Sequence, residues 1–429
     1  MFSLKKAAAG VLSCTMLLGS LVISGCSDSN TSGTQSADNT SNGSSTAHQG
    51  EIKDISSVEL VKDMKIGWSL GNTLDGGNES NRGQDPGSIE KSWGNPDTTK
   101  EMIDEIKKAG FNVLRVPTTW DWSTGEAPEY KISDEWFARV KEIVDYGMEN
   151  DMYVILNIHH ETWHDPLEKN YEAASDRLKK IWTQIGNYFK DYDEHLIFEG
   201  LNEPRVRNSD EEWNGGSDAT REVVNKLDAD FVSTIRSLDG NNKLRHLMIP
   251  GYAASSSEVA LKGLKIPEND DKLIVSVHAY IPYNFALADN KRSNKWVACK
   301  EGFTNDIDNL ADMLKTLFTD KGQAVIIGEF GARSKDNEKY RAEWAKYYVT
   351  KMKTVGVPCV WWDNGAFIGS GELFGLLDRR NLEWRYPLVK DALISASNGE
   401  YTVDGLKSDT AILDELKKDI AQSKNSSAE

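Results

Sequence analysis

The sequence predicts an α/β fold, a (β/α)8 TIM barrel, on three observations. Between residues 51 and 396, short apolar runs alternate with amphipathic helical stretches, which is the pattern of repeated βα units. Eight such runs are present, the number that such a barrel requires. The runs are apolar along their whole length, as expected for parallel strands that are buried on both faces.

A doubly wound open sheet is the competing fold. No glycine-rich dinucleotide or phosphate loop follows an early strand, so the barrel is favoured. The predicted strands cover residues 64–70, 112–117, 153–158, 196–201, 247–250, 273–279, 324–329 and 357–362. The helical patterns between them cover residues 99–108, 135–150, 174–189, 221–236, 303–318 and 339–355.

The first 25 residues are predicted to be an export signal. Lys5 and Lys6 precede an apolar stretch at residues 7–23, which is too short for a stable membrane span. The cysteine at Cys26, after small residues, resembles that of a bacterial lipoprotein signal, whose cysteine carries the lipid; an ordinary secretory signal is the alternative. We therefore expect an exported bacterial protein, held at a membrane or cell surface only through this lipid, or released outside the cell.

Two polar segments flank the predicted barrel domain, which covers residues 51–396. Residues 26–50 consist almost entirely of Ser, Thr, Asn, Gly, Asp, Gln and Ala, a composition that predicts a flexible linker. Residues 397–429 form a polar tail with one helical pattern that either docks on the barrel or frays. The apolar positions of that pattern are Ile412, Leu413, Leu416 and Ile420.

Composition narrows the function classes. The formal net charge is −17, which argues against nucleic acid as a partner. Once Cys14 leaves with the signal and Cys26 carries lipid, Cys299 and Cys359 remain, too few for a disulfide framework. A single Cys299–Cys359 bridge is the alternative in an oxidising compartment, but Cys359 lies in an apolar run, so we expect a buried thiol and no bridge. We expect a monomer that needs no cofactor.

Polar side chains close the predicted strands at the ends where such a barrel carries its chemistry. In chain order they are Asn72, Arg115, His159 and His160, Asn202 and Glu203, His278 and Tyr280, Glu329, and Trp362. The sequence therefore predicts one polar site at one mouth of the barrel.

Two of these residues are glutamates, Glu203 and Glu329, which each follow a strand-like apolar run. Glycoside hydrolysis needs one carboxyl group that gives and takes a proton and a second that stabilises or attacks the anomeric carbon. Either glutamate alone is better explained as a helix N-cap or as an ion-pair partner in a loop. The pair in this context predicts a glycosidase.

Residues 196–205 closely resemble the active-site signature of glycoside hydrolase family 5 cellulases. The resemblance extends over about residues 67–380 through the motifs at 67–73, 93–96, 159–163 and 361–365, which look most like the endoglucanase subgroup numbered four. It implies a retaining mechanism in which Glu203 is the general acid/base and Glu329 the nucleophile. Retention requires the two carboxyl groups about 5–5.5 Å apart, which opposed strand ends of a closed barrel allow.

The neighbouring side chains then have supporting roles. Arg115 is placed to favour ionised Glu329, with an ordinary ion pair as the alternative. Tyr280 can donate its hydroxyl to Glu329, and His278 supports the acid/base glutamate. Asn202 can bond the 2-hydroxyl group of the sugar, with a core asparagine bonded by backbone as the alternative.

The histidine pair is assigned to the substrate. His159 is expected to contact the sugar at the cleavage subsite, with His160 as a hydrogen-bonding neighbour and Asn72 also within reach of the sugar. A metal site at His159, His160 and Glu161 is the alternative. We predict none there, because adjacent residues of a strand point to opposite faces.

Among the tryptophans, Trp362 is predicted to stack on a sugar ring, and Trp93 and Trp120 to line the cleft. For any other tryptophan, burial in the core is the better prediction. Those further candidates are Trp68, Trp122, Trp163 and Trp213.

Together these features predict a polysaccharide-degrading cellulase, an endo-acting retaining hydrolase of internal β-1,4-glucosidic bonds in cellulose-like β-glucans. One alternative keeps the mechanism and takes xyloglucan, mixed-linkage β-glucan or mannan. The alternative from a different class is a non-catalytic glycan-binding surface lipoprotein, which would not need two glutamates at opposed strand ends.

Overall fold

The computed structural model describes residues 48–289, 291–414 and 417–418, all within one compact unit. Eight parallel strands close into a barrel in chain order. They are β1 (Ile66–Leu70), β2 (Val113–Val116), β3 (Tyr153–Asn157), β4 (Leu196–Glu199), β5 (Leu247–Ser255), β6 (Leu273–His278), β7 (Ala324–Phe330) and β8 (Cys359–Asp363). The predicted fold class and the eight predicted strands are confirmed.

Helices surround the barrel and connect its strands. They are α1 (Ser57–Asp63), α2 (Pro86–Glu90), α3 (Lys100–Ala109), α4 (Asp134–Glu149), α5 (Tyr171–Tyr188), α6 (Asp218–Ser237), α7 (Glu258–Gly263), α8 (Tyr283–Ala286), α9 (Asn305–Leu317), α10 (Glu338–Thr354), α11 (Pro387–Asn398) and α12 (Val403–Ser408). The six predicted helices correspond to α3, α4, α5, α6, α9 and α10. A small antiparallel pair, β9 (Leu377–Asp378) and β10 (Glu383–Trp384), follows the barrel.

The N-terminal end of the barrel is closed by α1, which the sequence did not predict. Ser56 caps this helix reciprocally with Glu59. Leu60, Val61 and Met64 pack on inward-facing strand residues in one buried cluster. The opposite end, where the strands terminate, is left free for polar side chains.

The limits predicted for the barrel domain are too narrow at both ends. The His48 carbonyl oxygen accepts a hydrogen bond from the Asp193 N–H, and Gln49 forms an antiparallel β-bridge with Tyr192. Residues 48–50 therefore already pair with the barrel. At the other end, residue 396 lies inside α11, and Leu406 of α12 is buried in the main core. Burial of apolar side chains beyond the predicted limit explains the difference.

Some predictions fall on residues outside the described part. These are the signal, lipidated Cys26, most of the linker, and Leu416 and Ile420 of the tail helix. The described residues Ile412 and Leu413 pack against the main core, so this part of the tail docks. Cys299 and Cys359 are free thiols. Among the described residues, no helix has both the length and the hydropathy needed to cross a membrane.

Candidate active site

Glu203 and Glu329 meet at the C-terminal mouth of the barrel. Glu203 lies four residues beyond the end of β4, and Glu329 is the penultimate residue of β7. An oxygen of each carboxylate lies within 4.8 Å of the other and of a nitrogen of His278. Both carboxylates border a cleft of about 970 Å³. The barrel therefore brings together the two glutamates that lie far apart in the sequence.

Arg115 of β2 is fully buried beneath this pair and contacts Glu329 directly. Its Nη1 donates to Glu329 Oε1 at 2.7 Å, and its Nη2 donates to Asn202 Oδ1 at 2.7 Å. Its Nε donates to Glu199 Oε2 at 2.9 Å. A guanidinium that holds three acceptors in fixed directions orients the Glu329 carboxylate through a strong, charge-assisted hydrogen bond.

Tyr280 provides the second donor to Glu329. Its hydroxyl lies 2.8 Å from Glu329 Oε2, the oxygen that Arg115 does not hold. Burial and the negative charge of Glu329 raise the pKa of Tyr280 well above 10, so the phenol keeps its proton. Each oxygen of the Glu329 carboxylate thus accepts one hydrogen bond from the protein.

His278, the last residue of β6, contacts the other glutamate. Its Nδ1 lies 2.8 Å from Glu203 Oε1 and 3.6 Å from Glu329 Oε2. Burial lowers the pKa of His278, but the negative charges of Glu329 and Glu203 outweigh it and raise the pKa above the ordinary value. Burial opposes ionisation of Glu203, yet the His278 hydrogen bond and the charges of His278 and Arg205 lower its pKa overall.

The cleft has aromatic side chains along its walls. Trp93 lines it with 42% of its surface exposed, in agreement with its predicted place in the cleft. Trp213 and Tyr283 also line the cleft, with 63% and 62% exposed. Large apolar side chains exposed to this degree in one groove are typical of surfaces that stack on sugar rings. The sequence analysis favoured burial in the core for Trp213. A single tryptophan in a loop has no periodic pattern that would indicate its exposure.

Trp362 forms part of the floor at the end of β8. Its ring lies parallel to that of His159, with 5.7 Å between centroids and an interplanar angle of 7°. A Cβ atom at Gly71 would lie 2.8 Å from the indole, so only glycine permits this position of Trp362. Asn72 follows with a left-handed φ of 56° and also lines the cleft.

The placement of Trp120 in the cleft is wrong. Its side chain has no exposed surface, packs on Phe137, and donates through Nε1 to the Asn157 carbonyl at 2.9 Å. The backbone turns inward immediately after β2, since the Trp120 amide donates to buried Glu161 at 2.6 Å. Trp120 therefore supports the mouth from within the core.

The expectation that His159 and His160 point to opposite faces of a strand, and so cannot bind one metal ion together, is also wrong. Both residues lie beyond the end of β3, so strand alternation does not separate them, and their ring centroids are 4.3 Å apart. Both Nε2 atoms face Asp75 Oδ2, at 3.9 Å and 3.7 Å. Backbone amides of Asn72 and Thr73 donate to this carboxylate, and burial raises its pKa to about 6. His159 and His160 form a polar wall of the cleft, and Asp75 is buried behind them.

Glu199 is a part of the site that the sequence analysis missed. This fully buried carboxylate bonds Arg115, and it also accepts from Ser276 Oγ at 2.6 Å and Asn157 Nδ2 at 3.1 Å. A charged residue at the end of the apolar run 196–199 was the available signal, because buried carboxylates are rare unless they are paired. Glu199 therefore fixes the guanidinium that in turn fixes Glu329.

Comparison with known proteins identifies the family. A family model described as cellulase, glycosyl hydrolase family 5, matches residues 77–367. Endoglucanase B of Neocallimastix patriciarum is 49% identical over 347 residues, which is 80% of this chain and 72% of that protein. Endoglucanase A of Ruminococcus albus is 44% identical over 353 residues, 81% of this chain and 94% of that protein. The chain belongs to glycosyl hydrolase family 5.

Solved structures of family 5 members agree with the fold. A GH5-4 broad specificity endoglucanase from Clostridium longisporum matches with a TM-score of 0.78 at 44% identity, covering 81% of this chain and all (100%) of that one. A family 5 lichenase from Caldicellulosiruptor sp. F32 matches with a TM-score of 0.76 at 43% identity, covering 81% and 97%. The prediction of an endo-β-1,4-glucanase that hydrolyses cellulose-like β-glucans is thereby confirmed.

Proposed function

We propose that this family 5 enzyme cleaves β-glucans with retention, with Glu203 as general acid/base and Glu329 as nucleophile. The proposal rests on the closeness of the carboxylates, whose nearest oxygens are within 4.8 Å. An inverting pair stands about 6.5–9.5 Å apart to hold a water molecule, whereas a retaining pair stands about 5–5.5 Å apart. The observed spacing favours direct attack by one glutamate.

The two glutamates have different partners, which supports different roles. Glu329 is held by Arg115 and Tyr280, so its carboxylate is fixed in a position from which it can attack the anomeric carbon. Glu203 bonds a titratable group, His278, and its side chain is 16% exposed to the cleft. A carboxylate that bonds another proton carrier is suited to giving and taking a proton.

In the first step, Glu329 attacks the anomeric carbon while Glu203 delivers a proton to the departing glycosidic oxygen. The products are a glycosyl ester on Glu329 and the released half of the chain. In the second step, Glu203 takes a proton from a water molecule, which attacks the same carbon and returns Glu329 as a carboxylate. Two inversions give net retention.

The proton for the first step belongs to the pair of Glu203 and His278 together. The two groups lie 2.8 Å apart and titrate as a coupled unit. In the free enzyme the proton favours the imidazolium, as the pKa directions of the two groups indicate. Transfer along this hydrogen bond protonates Glu203, which becomes the neutral acid, and leaves a neutral imidazole. The enzyme can therefore hold a carboxylate and an available acid at one pH.

We further propose that the enzyme cleaves mixed-linkage β-glucan as well as cellulose-like chains. Its relatives include an enzyme described as a broad specificity endoglucanase and one described as a lichenase. The open cleft, with exposed Trp93, Trp213 and Tyr283 on its walls, supports contacts with several sugar units. Stacking on aromatic faces tolerates different linkages better than a closed hydrogen-bonding pocket does.

Hydrolysis of carboxymethylcellulose, lichenan, xyloglucan and mannan tests both proposals. The wild type is compared with Glu203→Gln, Glu329→Gln and the matched control Glu135→Gln, an exposed position on α4. We expect both cleft variants to lose at least a thousandfold of activity on polysaccharide and the control to keep it. On 2,4-dinitrophenyl cellobioside, whose leaving group needs no proton, Glu203→Gln should still release dinitrophenol in a burst, whereas Glu329→Gln should not.

Proton NMR of the fresh product determines the stereochemistry. Retention gives the β-anomer before mutarotation, and an initial α-anomer would contradict the assignment of Glu329 as nucleophile. Full activity on carboxymethylcellulose with none on lichenan would contradict the proposed breadth and leave the mechanism intact.

We also propose that the enzyme is exported and held at the bacterial surface as a monomer by lipid on Cys26. The signal-like segment at residues 1–25 and the polar linker after it support this proposal. An anchored endoglucanase would release its products beside the cell that takes them up.

A further inference from the structure

Two histidines and two aspartates gather at the end of the barrel opposite the cleft. His195 immediately precedes β4, and Asp151 lies two residues before β3. His48 comes from the segment before α1 and reaches the same place. Glu203 lies after the other end of β4, so this cluster is separate from the active site.

A single carboxylate orients both imidazole rings. Asp193 Oδ2 lies 2.8 Å from His48 Nδ1, and Asp193 Oδ1 lies 3.0 Å from His195 Nδ1. Because an ionised carboxylate can only accept, each Nδ1 carries a hydrogen and donates it. In the neutral tautomer, each ring then presents a lone pair at Nε2. This is the arrangement by which second-sphere carboxylates prepare histidines for metals.

The two Nε2 atoms point to a third candidate ligand. His48 Nε2 lies 3.3 Å and His195 Nε2 lies 3.9 Å from Asp151 Oδ1. One candidate ligand atom from each of the three residues lies within 4.8 Å of those of the other two. Ligand bonds of about 2.0–2.2 Å around tetrahedral zinc place neighbouring ligand atoms about 3.3–3.6 Å apart. The observed distances are close to that spacing.

We propose that His48, His195 and Asp151 form a binding site for one divalent cation of the zinc class, oriented by Asp193. Two imidazoles and one carboxylate are a donor set that zinc accepts, with water in the fourth position. The Asp151 side chain is 75% exposed, which gives the ion a path from solvent. The sequence analysis predicted no metal site at His159, His160 and Glu161 and did not consider His48, Asp151 or His195.

The surroundings hold this geometry in place. Tyr153 stacks on the His195 ring at 4.7 Å between centroids, and the Asp193 amide donates to the His48 carbonyl at 2.9 Å. A bound cation would link the segment at His48 to the loops before β3 and β4. It therefore stabilises attachment of the N-terminal segment to the barrel and does not take part in hydrolysis.

Calorimetric titration with Zn²⁺ tests the site on the full-length protein, purified without a polyhistidine tag and treated with EDTA. We expect one equivalent to bind, with at least tenfold weaker binding in His48→Gln and in Asp151→Asn. Asp193→Asn should weaken binding about tenfold to hundredfold through the ring orientation. The matched control Asp191→Asn, in the same loop and exposed, should bind as the wild type does.

Thermal unfolding provides a second readout. Zn²⁺ should raise the Tm of the wild type and of Asp191→Asn, leave that of His48→Gln unchanged, and leave the hydrolysis rate of the wild type unchanged. Because His48 lies on a surface segment, we expect His48→Gln to fold. A Tm in EDTA equal to that of the wild type in EDTA verifies this. No saturable binding near one equivalent, or binding that survives both His48→Gln and Asp151→Asn, would overturn the proposal and leave the cluster as a structural hydrogen-bonded contact.

Discussion

At the scale of single residues, the site is organised around Arg115. A guanidinium group in the core requires several acceptors, and β2 places it where Glu199, Asn202 and Glu329 supply them. Only one of the two cleft glutamates can reach it. That contact, together with Tyr280, distinguishes the proposed nucleophile from the proposed acid/base, whose partner is His278.

The Tyr280 hydroxyl offers a direct test of how Glu329 is held. Tyr280→Phe removes a hydrogen bond to a charged group, worth about 1.5–3 kcal/mol, so we expect kcat/KM to fall about 10- to 100-fold. Steady-state kinetics on soluble β-glucan measure the change. Tyr146→Phe is the matched control, because it loses a hydroxyl contact with Glu142 on the α4 surface. Equal kinetics in the wild type and Tyr280→Phe would contradict a role at the nucleophile.

The pH profile tests the proton shared by Glu203 and His278. The raised pKa of His278 keeps one proton on the pair as the pH rises above the ordinary histidine value. In His278→Gln, that proton is held by Glu203 alone and is lost at lower pH. The alkaline limb of kcat/KM on β-glucan should therefore move to lower pH.

The same variant on 2,4-dinitrophenyl cellobioside is the control for this prediction. Its leaving group needs no proton, so the alkaline limb should shift far less. An unchanged alkaline limb on β-glucan would show that His278 does not share the catalytic proton.

At the scale of elements, helix α6 contains a buried aspartate, Asp228, whose ionised form is not stabilised by its surroundings. Asp228 is 1% exposed, and neither carboxylate oxygen has a hydrogen-bond partner among the described residues. Burial raises its pKa well above the ordinary value, so the folded chain holds this proton more tightly than the unfolded chain does. Stability from this group is therefore lost as the pH rises from about 4 through the folded-state pKa.

Asp228→Asn replaces the carboxyl group with an amide that does not ionise, so the loss of stability with rising pH disappears. We expect a gain of about 1–3 kcal/mol in the free energy of unfolding at pH 8, the scale of one unsatisfied buried polar group, and a smaller gain at pH 4. Denaturant titrations at the two pH values measure it. Asp218→Asn, fully exposed in the first turn of the same helix, should give no comparable gain. A gain for Asp228→Asn that is the same at both pH values would rule out ionisation as its cause.

Element limits also show what a sequence pattern omits. Strand β5 was predicted to end at Pro250 but continues to Ser255. Beyond Pro250 the strand bulges, and Ala253 and Ala254 have left-handed φ values of 55° and 46°. Small residues give no apolar run to detect, and the irregular pairing depends on the neighbouring strand β6.

At the scale of the whole molecule, the proposed anchor at Cys26 determines where the enzyme works. Cys26→Ser should move the protein from the membrane fraction to the soluble fraction, because the proposed anchor is the lipid that this cysteine carries. Cys14→Ser, within the signal, is the matched control and should remain in the membrane. Fractionation followed by immunoblotting measures this, and membrane association of Cys26→Ser would contradict the lipoprotein assignment.

The sequence by itself determined the barrel, the positions of its strands and the two glutamates, because periodic burial and strand-end chemistry are local patterns. Only the tertiary structure decided that Glu199 is the partner of Arg115, that Trp213 is exposed in the cleft while Trp120 is buried, and that His48 meets His195. These outcomes depend on contacts between residues far apart in the chain. Exposure and partnership arise only when the barrel closes, so no local pattern contains them.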